Sequence, residues 1–295
     1  IVFGDWSSDV CSSDLTYDVE ITVPKGASVT CQGKNVDVDL SDVDGRVQVD
    51  SERSGVRLQN VGGKVIVDTR SSDLIRATNV RNDIELRGRG RDIELENITG
   101  QVNVNGGYSG ETIMRNIGNQ VRFESSVTEI RAAKIPGTLN LTLSALTGNG
   151  LAGPVLVKAR SKDVRLTEFA GQVEIDVDRG DVDLVQSRPD VSKIDVKVRS
   201  GAIEMALPET AKFSLEAETE KGEVVNDFGA RVKEEVSTRG GKLTAAMPGA
   251  PMVTLKTDRG SLTVRKAIPT PPAPPAVPKP GAPATPPPPP RADNQ

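Results

Sequence analysis

One interval governs what this chain can fold into. An apolar residue followed two positions later by Gly or Asn recurs at Val43, Val61, Val80, Ile98, Ile117, Ile135, Leu151 and Phe169, in steps of 18, 19, 18, 19, 18, 16 and 18 residues. The Gly or Asn partners are Gly45, Gly63, Asn82, Gly100, Asn119, Gly137, Gly153 and Gly171. These are the residue types that most easily take a positive φ, so each is expected to mark a corner. After each corner the pattern alternates. The first inward positions are Val47, Val65, Ile84, Val102, Val121, Leu139, Val155 and Val173, and the second are Val49, Val67, Leu86, Val104, Phe123, Leu141, Val157 and Ile175. A helix would repeat its apolar residues at three and four, not two. A second alternating run precedes each corner, as in Val38/Leu40, Val56/Leu58, Ile75/Ala77, Ile93/Leu95 and Ile130/Ala132. Hairpins in a meander need no fixed length, whereas stacked coils do. The expected fold is therefore all-β, a parallel β-solenoid with coils of 18–19 residues. Eight such coils make a rod on the order of 40 Å long at a strand spacing of about 4.8 Å.

Asn60, Asn79, Asn97 and Asn116 each stand immediately before a corner apolar residue. Stacked coils would place them above one another, so a ladder of side-chain amides satisfying buried polar groups at the bend is expected. The pattern loosens after Val177. Residues 16–207 are read as solenoid and residues 208–266 as a terminal β module, because the last coil would expose an unpaired strand edge. Residues 267–295 are read as a disordered tail, since thirteen of the twenty prolines lie from Ile268 onward. Such a run favours polyproline II and cannot supply amide donors.

Residues Asp5 to Leu15 resemble the in-frame translation of a common sequencing-library adapter, so residues 1–15 are set apart from the fold. Trp6 and Cys11 then carry no structural meaning, and Cys31 alone supports no disulfide framework. The natural chain is expected to extend upstream of residue 16, where a signal peptide, lipid anchor or membrane helix would sit.

The opening Tyr17-Asp-Val-Glu-Ile-Thr-Val-Pro-Lys-Gly-Ala-Ser-Val, the Gly-x-Val-x-Val coils, Leu207-Pro-Glu-Thr-Ala-Lys-Phe-Ser-Leu-Glu-Ala and Val253-Thr-Leu-Lys-Thr-Asp-Arg-Gly-Ser-Leu-Thr-Val together resemble the bacterial DUF4097 family. The resemblance covers nearly all of 16–266. That family of β-strand repeat proteins also carries the label adhesin. The resemblance implies a right-handed solenoid, usually in proteins of the cell envelope. It carries no catalytic residues across.

Composition narrows function further. The net charge of −4 argues against a nucleic-acid partner, which needs a basic surface. No apolar run reaches the roughly 18 residues of a membrane span. The absence of His removes the commonest general base and a common metal ligand. Two acidic groups, Asp37, Asp39, Asp42, Asp44 and Asp50, then Asp176, Asp178, Asp181 and Asp183, lack the calcium β-roll motif and read as solvated faces. Arg76, Arg81, Arg87, Arg89 and Arg91 are interleaved with acids and read as locally neutralised. β-Helical polysaccharide enzymes use long loops around a cleft. Here the coils are short, and Tyr108 in a slightly longer turn is a lone aromatic. The expectation is a non-enzymatic envelope module without cofactor or metal, offering flat faces to a glycan or protein. A self-assembling scaffold like the bactofilins is the alternative, and a polysaccharide-active enzyme is the weaker third.

Overall fold

The computed structural model describes residues 19–267, so the adapter-like segment and the proline-rich tail from Ile268 onward lie outside the described residues. All regular structure within them is β: 23 strands and no helix. The strands form two walls wound around one apolar core. In the first wall Val47, Val65, Ile84, Val102 and Val121 stack in register from coil to coil, all parallel. In the second, Val38 stacks on Val56, Val56 on Ile75, Ile75 on Ile93 and Ile93 on Thr112. All sixteen inward residues of the first alternating run and all eight corner apolar residues are buried. Burial of each Val, Leu or Ile side chain contributes about 1.5–3 kcal/mol against chain entropy, which makes this row the main source of stability.

Up to Leu207 the parallel winding is interrupted by a single antiparallel strand. The chain turns back at Ser125–Val127, and the strand Thr128–Leu141 runs antiparallel over the preceding coil, with Ile130 opposite Phe123 and Leu139 opposite Met114. A second reversal at Thr142–Ser144 restores the first direction. Ala145–Asn149 and Ala152–Ser161 then pair antiparallel with the far side of the same strand. Expecting every layer to be parallel was therefore wrong for this one. Ile130 and Ala132 belong to the first wall, Leu139 and Leu141 to the second, and Gly137 sits in a strand read backwards. The single 16-residue step, from Ile135 to Leu151, spans the second reversal.

Lys162 holds that reversal. Its side chain is buried, and Nζ donates to the Thr142 carbonyl and, at 2.8 Å, to the Leu143 carbonyl. Burial pushes the ammonium below the usual lysine range.

Spatial order also departs from chain order at the C-terminal end. Met252–Arg259 pairs with Ile194–Ser200 on one side and with Ser214–Lys221 on the other. Leu262–Lys266 likewise lies between Ile203–Leu207 and Val224–Asp227. The final coil is thus inserted beneath the one that precedes it in sequence. The boundary drawn at residue 208 does not separate two bodies: residues 252–266 are woven into the rod. Beyond them Lys233–Val236 and Gly241–Ala245 form an antiparallel hairpin over Ser214–Lys221. Phe213 and Phe228 meet edge to face at 5.3 Å inside this end, with the Arg231 guanidinium 5.6 Å from each ring. Arg231 also donates to the carbonyls of Glu209 and Ala211.

The corners work differently from the expectation. Positive φ falls on the residue just before the corner apolar one: Asp42, Asn60, Asn79, Asn97, Asn116, Gly150 and Glu168. Of the eight predicted corner residues only Gly153 and Gly171 have positive φ. Gly45, Gly63, Gly100 and Gly137 are small for another reason: a Cβ there would stand 2.1–2.3 Å from backbone atoms of the adjacent layer. Asn82 and Asn119 instead accept a hydrogen bond on Oδ1 from the next backbone N–H, at 2.8 Å in each case.

Candidate functional site

The four asparagines stand above one another. Asn116 Nδ2 donates to Asn97 Oδ1 at 2.8 Å, Asn97 to Asn79 at 3.0 Å, and Asn79 to Asn60 at 3.0 Å. Asn60 donates to Asp42 at 2.9 Å. The side chains are half-buried or exposed, so the ladder does not rescue buried groups as expected. It locks a left-handed backbone position on the surface instead. This corner is a structural seam.

The opposite corner differs. There the chain passes from the first wall to the second through tight glycine turns. In the C-terminal half these stack in the order Gly180, Gly201, Gly260, Gly222: a Cβ on each later member would stand 2.0 Å from the carbonyl oxygen of the one before. Side chains larger than hydrogen are thereby excluded, and the turns close up on one another. The residues just before these glycines share one register, with Arg179 beside Ser200, Ser200 beside Arg259, and Arg259 beside Lys221.

A groove of about 500 Å³ opens over this stack, lined by Arg179, Arg199, Ser200, Lys221 and Arg259 together with Glu220 and Asp258. Four cations face two anions. Arg199 reaches Asp178 at 4.0 Å. Among the described residues Arg179, Lys221 and Arg259 make no ion pair, and neither do Glu220 and Asp258. A smaller groove of about 290 Å³ lies at the first reversal, lined in part by Glu124, Glu129, Asp176 and Asp178. It is acidic where the first is basic.

A family model described as Toastrack DUF4097 matches residues 11–265. The chain belongs to the Toastrack DUF4097 family. No curated protein and no solved structure matches it.

In this Toastrack chain several aspartates, Asp37 and Asp181 of the acidic groups among them, serve the stacking. Asp37, Asp83, Asp92, Asp163 and Asp181 each accept a backbone N–H from the next coil, at Gly55, Gln101, Glu111, Asp181 and Ala202. Asp44 pairs with Arg81, Arg76 with Glu94, and Arg87 with Glu85. No group of three or more His, Cys, Asp or Glu side chains able to hold a metal occurs among the described residues. The Tyr108 ring lies against Gly90; burial pushes its phenol up, and the hydroxyl has no hydrogen-bond partner among the described residues. Cys31 is a half-buried free thiol whose pKa burial raises, the opposite of an activated nucleophile.

The basic groove of the Toastrack rod was missed by sequence reasoning, although a signal exists. Asp178-Arg179-Gly180, Glu220-Lys221-Gly222 and Asp258-Arg259-Gly260 repeat one acid–base–glycine format, with Arg199-Ser200-Gly201 as a variant. Their spacing gives no hint that they adjoin, because the chain fills those layers out of order.

Proposed function

We propose that this chain is a non-enzymatic interaction module of the bacterial cell envelope, which presents the outside of a rigid β-solenoid to a glycan or protein. The observation that carries the reading is the position of the 500 Å³ groove: it lies outside the rod, on backbone that the stacked glycines hold fixed. Among the described residues the inside of the rod is filled mainly with Val, Leu and Ile. The groove's side chains are Arg, Lys and acids, suited to holding a charged partner. Family membership supports the envelope placement by analogy only, since a fold hosts many functions. No helix of the described residues is long and apolar enough to cross a membrane.

The rival reading, an end-to-end scaffold, needs both ends of the rod open. The Lys233–Val236 and Gly241–Ala245 hairpin covers part of one end, which favours a module that acts singly.

The test is co-sedimentation of the full chain with isolated cell-wall sacculi and outer-envelope fractions, beside sedimentation velocity at several protein concentrations. Binding by an elongated species of constant sedimentation coefficient is expected. Growth into large species with concentration would sink the reading in favour of the scaffold. A monomer that ignores all envelope material would sink it outright.

A further inference from the structure

We propose that the groove over the stacked glycine turns is an oxyanion-binding site for an acidic polysaccharide, with Arg179, Ser200, Arg259 and Lys221 as its contact residues. The inference rests on the interaction-module reading and names the ligand class of that groove.

The first argument is register. Arg179, Ser200, Arg259 and Lys221 occupy one equivalent position on four successive strands. Strand spacing of about 4.8 Å places them along about 14 Å of the rod axis. Ser200 is the short member, so a gap opens between two guanidinium groups with a hydroxyl at its floor. Guanidinium forks match the paired oxygens of carboxylate, sulfate and phosphate, and a hydroxyl can donate to a third oxygen.

The second argument is charge that the protein leaves uncompensated. Arg259 and Lys221 face each other directly on neighbouring strands, and like charges placed directly opposite destabilise a sheet. Like charges also face each other at Arg57/Arg76 and Arg122/Arg131, but there Arg76, Arg122 and Arg131 each reach a carboxylate, whereas neither Arg259 nor Lys221 pairs with one among the described residues. In the groove Glu220 and Asp258 are close enough to line the wall, yet neither pairs with a cation among the described residues. A bound anion would resolve the repulsion that the protein itself does not.

The third argument is shape. The cations follow a narrow edge along the rod rather than spreading over a face, and the groove is concave. A linear polyanion can lie in it with successive acidic groups meeting Arg179 and then the Arg259–Lys221 pair.

The experiment uses the full chain with three polymers: dextran sulfate, polygalacturonate and neutral dextran, with vesicles containing anionic phospholipid alongside. Affinity is measured at two ionic strengths for the wild type, for Arg179→Gln/Arg259→Gln, and for Arg87→Gln, which removes a paired arginine far from the groove. The expected result is binding of both acidic polymers, none of neutral dextran, at least tenfold weaker binding by the double variant, a shallower salt dependence for it, and no change for Arg87→Gln. Inorganic sulfate should compete at high concentration. Matching urea midpoints for all three proteins show that folding is not the cause. Equal loss in Arg87→Gln would mean general charge attraction and would overturn the site. So would equal binding of neutral dextran, or binding of vesicles in preference to polymers. If sacculi or envelope proteins are bound while the acidic polymers are ignored, the groove assignment fails and the interaction module stands. If nothing is bound, both fail.

Discussion

Asn60 donates from Nδ2 to the Oδ1 of Asp42 across 2.9 Å, so a file of four side-chain amides ends on a carboxylate. The amides all point the same way, from Asn116 down to Asp42. Their dipoles add, and the donor end of the file meets a negative charge. That polarity reinforces each bond along the file.

The middle of the file separates two contributions. Asn79 both bridges its neighbours and holds φ near 57°. Asn79→Ala loses the bridge and the tolerated backbone and should cost about 2–3 kcal/mol. Asn79→Gly keeps the backbone conformation and should cost about 1 kcal/mol less. Urea unfolding of the two variants checks the order; equal midpoints would show that backbone preference is irrelevant there.

The opposite corner tolerates even less. Gly88 has φ of 107°, and a Cβ on it would stand 1.8 Å from the Thr69 carbonyl oxygen. Gly88→Ala combines a strained conformation with a backbone clash and should cost about 3 kcal/mol or more. A thermal midpoint lowered by several degrees, with an unchanged strand signal in circular dichroism, is the expected outcome.

Lys162→Met should keep the buried stem and leave the Thr142 and Leu143 carbonyls without their donor. The expected loss is about 1–3 kcal/mol. Hydrogen exchange should localise the loosening to residues 138–149, around the second reversal, rather than spreading it along the rod.

Asp183 gives a pH signature. Burial raises its carboxyl above the ordinary value, Arg165 opposes this and Glu204 adds to it, and Oδ1 has no hydrogen-bond partner. Above the raised value the group is ionised in both states, and the folded state bears the penalty. As the pH falls, the folded protein takes up the proton first and the penalty fades; below the ordinary carboxylate value both states are protonated. Asp183→Asn should therefore be more stable than the wild type near neutrality, and that advantage should shrink as the pH is lowered through the raised value. An advantage that grows in acid would contradict the assignment.

The inward rows were legible because period-two alternation reports burial directly: every one of the sixteen positions from Val47 to Ile175 is in the core. The same alternation has no direction. Ile130/Ala132 and Leu139/Leu141 look alike read forwards or backwards, so the antiparallel layer was invisible except as the short step to Leu151. The amide file was legible because its register is local, repeating every 18 or 19 residues. Its purpose was misjudged, since sequence alone does not say that the side chains stand at the surface. The groove was legible only as a repeated acid–base–glycine format, with nothing to show that its members adjoin. Arg259 and Lys221 become neighbours only because a later segment slips beneath an earlier one, and neither propensity nor periodicity encodes that order.

The same insertion has a consequence for synthesis. A nascent chain that has left the ribosome only as far as Pro251 possesses both neighbours of the missing coil, Ile194–Ser200 and Ser214–Lys221, but not the coil itself. Until residues 252–266 emerge, those two edges can pair with each other in a compact off-pathway form or with other chains. Completion then requires a strand to enter between two others rather than to add at a free end. A premature stop near residue 251 would take away residues 252–266 and leave a rod whose cap has lost its parallel strand partner.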